Sequence, residues 1–244
     1  MRFFSSPQAA IKAVLLSQVI LGAGIVYLDM LTDSSRSAPS LFAPEDGAGI
    51  RPYRPDLRTA PDPSQPGAPA MRPMPTALEF AETEGAIRLD GQIATGDADR
   101  FAAWMDEARP TATLVSLDSS GGSVSDALAI GRTIRAAGFD TVVEDGAVCL
   151  SACPYLLAAG VNRRVEPGGF VGVHQHYFGK NTMLPAFLAV SDLQRAQASV
   201  MVYLTEMGVD LRLMVHALRT EPDEINMLTP DQMRDLGLVT VSQS

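Results

Sequence analysis

Cysteine, histidine and basic residues are all scarce in this chain of 244 residues, and each scarcity excludes a class of protein. Two cysteines are too few for a disulfide-rich scaffold or a four-thiolate zinc site, and three histidines leave little material for another metal centre. We therefore expect neither a metal nor another cofactor. Nineteen Lys and Arg stand against 28 Asp and Glu, a net charge of −9, so the chain lacks the basic face that phosphate contacts require. Nucleic acid is not an expected partner.

The longest uncharged stretch lies near the N-terminus, at residues 13–28 between Lys12 and Asp29. With its apolar neighbours it extends over residues 9–31, about the 20 residues that a membrane span needs. A cleaved signal peptide is the alternative, with residues 22–24 as a passable cleavage site. Because the positive charges precede the stretch, we predict an uncleaved, single-pass anchor at residues 1–33 in the inner membrane, followed by chain in the periplasm or another extracytoplasmic space.

Residues 34–76 contain ten of the 17 prolines and show neither strand nor helix periodicity. A proline density of this kind favours extended polyproline II over packed structure. We expect a Pro-rich disordered linker that holds the remaining chain, residues 77–244, away from the membrane.

Residues 77–244 alternate short apolar runs with helical patterns, which predicts one α/β domain with a largely parallel sheet. A strand is expected over residues 86–93 and a helix over residues 97–108, capped by Asp97. The pattern then repeats: strands near 113–117, 141–144, 163–165 and 170–173, and helices after residue 123, over 151–160 and over 191–207. Hydrophobic residues make up 46% of the chain, enough to build a substantial core.

Paired glycines, Gly121 and Gly122, stand where a predicted strand passes into a helix. Glycine tolerates positive φ, and peptide N–H groups at a helix N-terminus can stabilise an oxyanion. Simple turn chemistry is the commoner explanation of such a pair when no other motif supports it.

Ser151 lies among small residues at the next strand-to-helix junction. Serine at such a junction is ordinarily an N-cap. The same position also lowers the cost of forming an alkoxide, because the amides of the helix N-terminus point at it.

Two further polar groups are candidates for chemistry. His174 ends an apolar strand, and with His176 it has no obvious third metal ligand, so we interpret it as a general base. Asp223 follows a helix and, taken alone, is no more than a loop carboxylate.

Taken together, these residues resemble the Clp proteolytic-subunit family of serine peptidases, within the ClpP/crotonase fold. The matching segments follow the family's order: 89–93, 121–122, 151–160, 173–175, 220–223, 228 and 237–239. The resemblance as a whole extends over essentially all of residues 85–241. The resemblance implies a repeated ββα superhelix, here preceded by the predicted transmembrane helix and linker.

By the same resemblance, Ser151 is the nucleophile, His174 the general base and Asp223 the carboxylate that orients the imidazole. The N–H groups of Gly122 and Ala152 form the oxyanion hole. The substrate is then a peptide or protein. The predicted helix at residues 191–207 lies where the family has its ring-stacking helix, which implies a homo-oligomer.

Cys149 and Cys153 depart from the family pattern, which has small non-thiol residues there. Either they form a disulfide across one helical turn, or they are buried thiols that pack in the core; the sequence favours neither. A cysteine nucleophile would leave Ser151 unused. The chain's lysines, Lys12 and Lys180, match no motif that supplies the lysine base of related membrane peptidases.

Two hypotheses follow. The first is a membrane-anchored, periplasm-facing serine peptidase with a Ser-His-Asp triad, working without ATP because the chain carries no ATPase module. The second is a catalytically inactive binding or assembly module that retains the fold.

Overall fold

The structure, a computed structural model, describes residues 7–32, 50–56, 72–176 and 186–240. Helix α1 (Pro7–Thr32) belongs to one unit, Met1–Ala43, and every other element to a second, Pro44–Ser244. No helix in these described ranges combines the length and the apolar character needed to cross a membrane. Since a span needs about 20 consecutive apolar residues, the anchor predicted for residues 9–31 is not supported.

The second unit is an α/β domain. Its strands are β1 (Ile50–Pro52), β2 (Glu79–Thr83), β3 (Ala86–Ile93), β4 (Leu114–Gly122), β5 (Asp140–Val143), β6 (Val148–Leu150), β7 (Arg163–Val165), β8 (Phe170–Val173) and β9 (Glu224–Met227). Its helices are α2 (Asp97–Ala108), α3 (Val124–Ala136), α4 (Cys153–Ala159), α5 (Ala186–Glu206), α6 (Arg212–Leu218) and α7 (Pro230–Asp235). The predicted alternation of strands and helices is confirmed.

The sheet is mixed but mostly parallel. Its main path runs β1-β9-β8-β6-β4-β3-β2, and β5 and β7 extend from β4 on a side branch. The pairs β3–β4, β4–β5, β4–β6, β5–β7 and β6–β8 are parallel, while the pairs β1–β9, β2–β3 and β8–β9 are antiparallel. The α/β class with a largely parallel sheet is therefore confirmed.

Helix α4 is apolar on all sides and packs inside the domain. All of its residues are buried, including Tyr155, Leu156 and Leu157. Burial on every face is what a helix without a polar stripe requires. The turn that precedes α4 is consequently fixed by the core.

Strands β4, β6 and β8 lie side by side and point the same way. Ser119 pairs with Cys149, and Leu150 pairs with Gly172. In a parallel sheet the carboxyl ends of neighbouring strands meet at one edge, where ligands commonly bind. The residues that follow these three strands therefore converge.

Parts of the predicted linker belong to this domain. Residues 50–52 form β1 on β9, and the Gln92 N–H donates to the Pro75 carbonyl at 2.9 Å. This differs from the disordered linker predicted for residues 34–76. The reason is that main-chain groups of the segment find partners at a sheet edge, which proline content alone does not reveal.

A smaller difference concerns the start of α2. Gly96 is its N-cap, and Asp97, predicted as the cap, is the first helical residue. The buried Asp97 carboxylate instead accepts from the N–H groups of Ala94 at 2.7 Å and Leu78 at 2.9 Å.

Candidate active site

The carboxyl ends of β4, β6 and β8 surround one cavity of about 1050 Å³. Gly121, Gly122, Ser151 and His174 all line it, and Asp223 lies at its wall. The fold thus brings together residues that are separated by up to about 100 positions along the chain. The cavity is large enough for a segment of substrate rather than a single small group.

Ser151 occupies a tight turn between β6 and α4. Its φ is +60°, a left-handed conformation that is uncommon outside glycine, and its N–H donates to the Gly172 carbonyl at 2.9 Å. The N-cap of α4 is Ala152, with no side-chain capping bond, so the Ser151 hydroxyl is not a helix cap. It lies instead 2.7 Å from His174 Nε2.

A disulfide joins Cys149 to Cys153 on either side of Ser151. Both residues are completely buried, and their Cα atoms are 5.0 Å apart. Of the two interpretations that the sequence left open, the structure therefore has the disulfide. The bond ties the end of β6 to the first turn of α4 and so braces the turn that carries Ser151.

Gly121 packs directly on the Ser151 turn. Its φ is +87°, and a Cβ atom there would lie 2.4 Å from the Leu150 carbonyl oxygen, 2.5 Å from Ser151 Cβ and 2.7 Å from Ala152 N. No side chain fits such a space. Glycine at this position therefore does more than allow a turn, because it lets the backbone of β4 touch the turn that carries Ser151.

Gly122 faces the opposite side of β4. Its φ is +142°, and a Cβ atom would meet the carbonyl oxygen of Ile93 at 2.2 Å. The Gly121 N–H donates a hydrogen bond to Ser119 Oγ at 3.1 Å. Within the described ranges the Ala152 N–H makes no hydrogen bond, and Ala152 is completely buried.

His174 is buried, with 4% of its surface exposed. Burial lowers the pKa of His174, and the carbonyls of Pro222 and Glu221 and the charge of Asp223 partly counteract this effect. The imidazole is therefore neutral at pH 7, the form that a general base requires.

The structure differs from the predicted triad at the second ring nitrogen of His174. Among the residues that the structure describes, Nδ1 has no hydrogen-bond partner. Asp223 is exposed, and its backbone carbonyl accepts the Tyr53 N–H at 2.7 Å. The Asp223 carboxylate thus acts on the imidazole through charge, and the structure does not give it the hydrogen bond predicted for it.

His176 also lines the cavity but is occupied elsewhere. Its Nε2 lies 2.7 Å from the Tyr155 hydroxyl. Burial, together with the nearby His174, lowers the pKa of His176 to about 4. His176 is therefore neutral at pH 7 and serves as part of the cavity wall.

Tyr53 was not predicted as a site residue. Its ring centroid lies 4.6 Å from that of His174, and its hydroxyl donates to the Ser120 carbonyl. Burial raises the pKa of Tyr53 to about 12, although hydrogen bonding to Ser151 and Ser120 opposes this. A single tyrosine between prolines carries no sequence signal for such a position.

Compared with protein-family models and with curated protein sequences, the chain finds no match.

Proposed function

We propose that the chain is a serine peptidase similar to the Clp proteolytic-subunit family, with Ser151 as nucleophile and His174 as general base. The observation that carries the proposal is the 2.7 Å approach of Ser151 Oγ to His174 Nε2 at the wall of a large cavity. A buried imidazole with a lowered pKa beside a serine hydroxyl is the arrangement that activates a nucleophile.

In this mechanism Ser151 Oγ attacks the carbonyl carbon of a peptide bond and passes its proton to His174 Nε2. The negative charge that develops on the carbonyl oxygen is stabilised by the N–H groups of Gly122 and Ala152, each donor contributing about 3 kcal/mol in the transition state. His174 then gives the proton to the leaving amine. Water hydrolyses the acyl-enzyme by the same proton transfers in reverse.

Asp223 has a weaker role than in a complete triad. Its charge stabilises the imidazolium formed during the reaction, which is the direction in which it moves the pKa of His174. We therefore place the catalytic function mainly in the Ser151–His174 pair and assign the carboxylate an electrostatic contribution.

One feature favours a location outside the cytoplasm. The Cys149–Cys153 disulfide lies at the site, and disulfides persist mainly in oxidising compartments. Hydrolysis at Ser151 requires no nucleotide. We accordingly propose a peptidase that acts on exposed or unfolded peptide segments without ATP.

A second candidate, a catalytically inactive binding module, is favoured by one observation. His174 Nδ1 is buried without a hydrogen-bond partner in the described residues, so nothing there fixes its tautomer through a carboxylate. A module of this kind would bind a peptide in the cavity without cleaving it.

The two candidates are distinguished by covalent labelling with a fluorophosphonate probe. We expect the wild-type chain to label, Ser151→Ala to lose labelling completely, and His174→Asn to lose most of it. Ser199→Ala is the matched control, because Ser199 lines the same cavity but its hydroxyl donates to the Arg195 carbonyl at 3.0 Å. Because the pKa of His174 is lowered, the labelling rate of the wild type should stay high at pH values below the ordinary histidine pKa of about 6.5. Absence of Ser151-dependent labelling overturns the hydrolase proposal.

Hydrolysis of peptides is tested separately. Purified chain and Ser151→Ala are incubated with unfolded casein and with a fluorogenic peptide library, and cleavage is expected with the wild type alone. Labelling without cleavage of any peptide would leave a serine hydrolase of another substrate class and contradict the peptidase assignment.

A further inference from the structure

The segment at residues 50–56 is attached to every part of the candidate site. Strand β1 pairs with β9, and the Tyr53 N–H extends this pairing to the Asp223 carbonyl at 2.7 Å. Ser120 Oγ, next to the glycine pair, donates to the Pro55 carbonyl at 3.0 Å. Main-chain and side-chain bonds thus fix the segment at both ends of Tyr53.

The Tyr53 side chain fills the space between these attachments. Its ring packs against a buried cluster under the nucleophile strand, formed by Met74, Val148, Leu150, Ile225 and Met227. The ring also lies against His174, with centroids 4.6 Å apart and planes at 56°. Its hydroxyl donates to the Ser120 carbonyl and lies close enough to hydrogen-bond with Ser151. One side chain therefore contacts the segments of the base, the nucleophile and the glycine pair.

His174 has few other restraints. One ring nitrogen bonds to Ser151 Oγ; the other, Nδ1, makes no hydrogen bond of regular geometry within the described residues, and the carbonyls of Pro222 and Glu221 lie near the ring. An imidazole held at one nitrogen can still rotate about that bond, and packing against an aromatic ring removes this freedom. Tyr53 supplies such packing, because its ring centroid lies 4.6 Å from that of His174.

We propose that Tyr53 is a positioning residue of the active site, which orients the His174 imidazole by ring packing and ties it to the glycine-bearing end of β4. The inference rests on the proposed function, because positioning matters only if His174 acts as a base. It also makes residues 50–56 a functional part of the domain rather than of a tether.

An inhibitory role for the segment agrees less well with the cavity. Ser151, His174, Gly121 and Gly122 all line the open volume of about 1050 Å³ while Tyr53 is in place. Tyr53 forms part of the wall and leaves the face of the nucleophile towards the cavity accessible. Removal of Tyr53 should therefore slow the reaction rather than release it.

Among the described residues, the side chains that face His174 belong to Tyr53 in residues 50–56, Ser151, His176 after β8 and Asp223 before β9, and the carbonyls of Glu221 and Pro222 join them. Of these groups, Tyr53 covers the ring with an aromatic face. Loss of this cover admits water, and hydration favours the imidazolium, so the pKa of His174 should rise in Tyr53→Ala.

The first test is a histidine titration by NMR on the full chain, which contains just three histidines. We expect the His174 resonance to titrate at higher pH in Tyr53→Ala than in the wild type, and Tyr53→Phe, which keeps the ring, to remain close to the wild type. Arg54→Ala is the control, since Arg54 is exposed on the same segment. An unchanged His216 titration shows that the fold is intact. An unchanged His174 titration in Tyr53→Ala overturns the inference, whether or not the protein is active.

The second test is the fluorophosphonate labelling rate as a function of pH. We expect Tyr53→Ala to label about 10- to 100-fold more slowly, the effect of a misplaced catalytic group. Its acid limb should also move to higher pH, which a general loss of stability would not produce. Faster labelling of Tyr53→Ala identifies the segment as inhibitory and overturns the positioning role. A wild type that does not label refutes the proposed function and with it the positioning role, while the titration still decides whether Tyr53 shields His174 from water.

Discussion

The turn that presents Ser151 and the turn that presents Asp223 approach the same imidazole, but they are built differently. The Ser151 turn lies between a buried strand and a buried helix, is bridged by a disulfide and touches Gly121. The Asp223 turn contains exposed residues and is held by main-chain hydrogen bonds, such as Tyr53 N–H to Asp223 O at 2.7 Å and Glu224 N–H to Glu221 O at 3.0 Å.

This difference separates two levels of catalytic organisation. The core positions Ser151 and His174, the pair proposed to transfer the proton, and packing there allows little displacement. The more exposed segments supply the charge of Asp223 and the ring of Tyr53. The influence of these two groups on His174 decreases gradually as they move away. Substitutions at the first turn should therefore cost much more activity than substitutions at the second.

The largest effect is expected from Gly121→Ala. A Cβ atom at residue 121 would lie 2.4 Å from the Leu150 carbonyl oxygen and 2.5 Å from Ser151 Cβ, so either β4 or the nucleophile turn must move. A displacement of about 1 Å at the nucleophile costs about 100-fold in rate. We expect a loss of that size in fluorophosphonate labelling of the folded variant.

Gly85→Ala is the matched control for this experiment. Gly85 has a similar φ, +79°, but a Cβ atom there meets nothing within 4 Å. The backbone strain costs about 1–2 kcal/mol of unfolding free energy, and labelling should remain at the wild-type rate. A folded Gly121→Ala protein that labels as fast as Gly85→Ala would show that the contact between β4 and the nucleophile turn does not position Ser151.

A smaller effect is expected when the disulfide is removed in the double variant Cys149→Ala/Cys153→Ala. The bond closes a loop of five residues, for which loop-closure entropy gives about 2 kcal/mol of stabilisation. Urea unfolding should show a loss of this size. Labelling should fall about tenfold, because the core still packs around the turn.

The reducing agent dithiothreitol provides an independent check on this bond. The chain has no cysteines besides these two, so reduction acts at this site alone. Reduced wild type should behave as the double variant does, and the double variant should not respond. Equal unfolding free energies for the oxidised wild type and the double variant would contradict a bracing role for the disulfide.

The difference between the two turns also explains what could be predicted from the sequence. The strand at Ala86–Ile93 and the helix at Asp97–Ala108 have the predicted bounds, because their apolar periodicity is set by local burial. Ser151 and His174 follow apolar strands, so their meeting at a carboxyl edge could be expected from the parallel order. The place of Tyr53 in the site could not be expected, since it depends on the pairing of β1 with β9, which are more than 170 residues apart in the chain.

Asp223→Asn tests the weaker turn and should have the smallest effect. In a complete triad this substitution costs about 10⁴-fold, because the amide stabilises the wrong tautomer of the histidine. Here no hydrogen bond to His174 Nδ1 is lost among the described residues. The change removes an exposed charge worth at most about 1 kcal/mol, and we expect the labelling rate to fall by no more than about fivefold.

The pH profile of labelling in Asp223→Asn shows in which direction Asp223 shifts the pKa of His174. The charge of Asp223 raises the pKa of His174, so its removal should lower that pKa further and move the acid limb of labelling to lower pH. Tyr53→Ala should move the same limb the other way. A loss near 10⁴-fold in Asp223→Asn would mean that the carboxylate reaches Nδ1 when substrate binds, and that the second turn closes onto the first during the reaction.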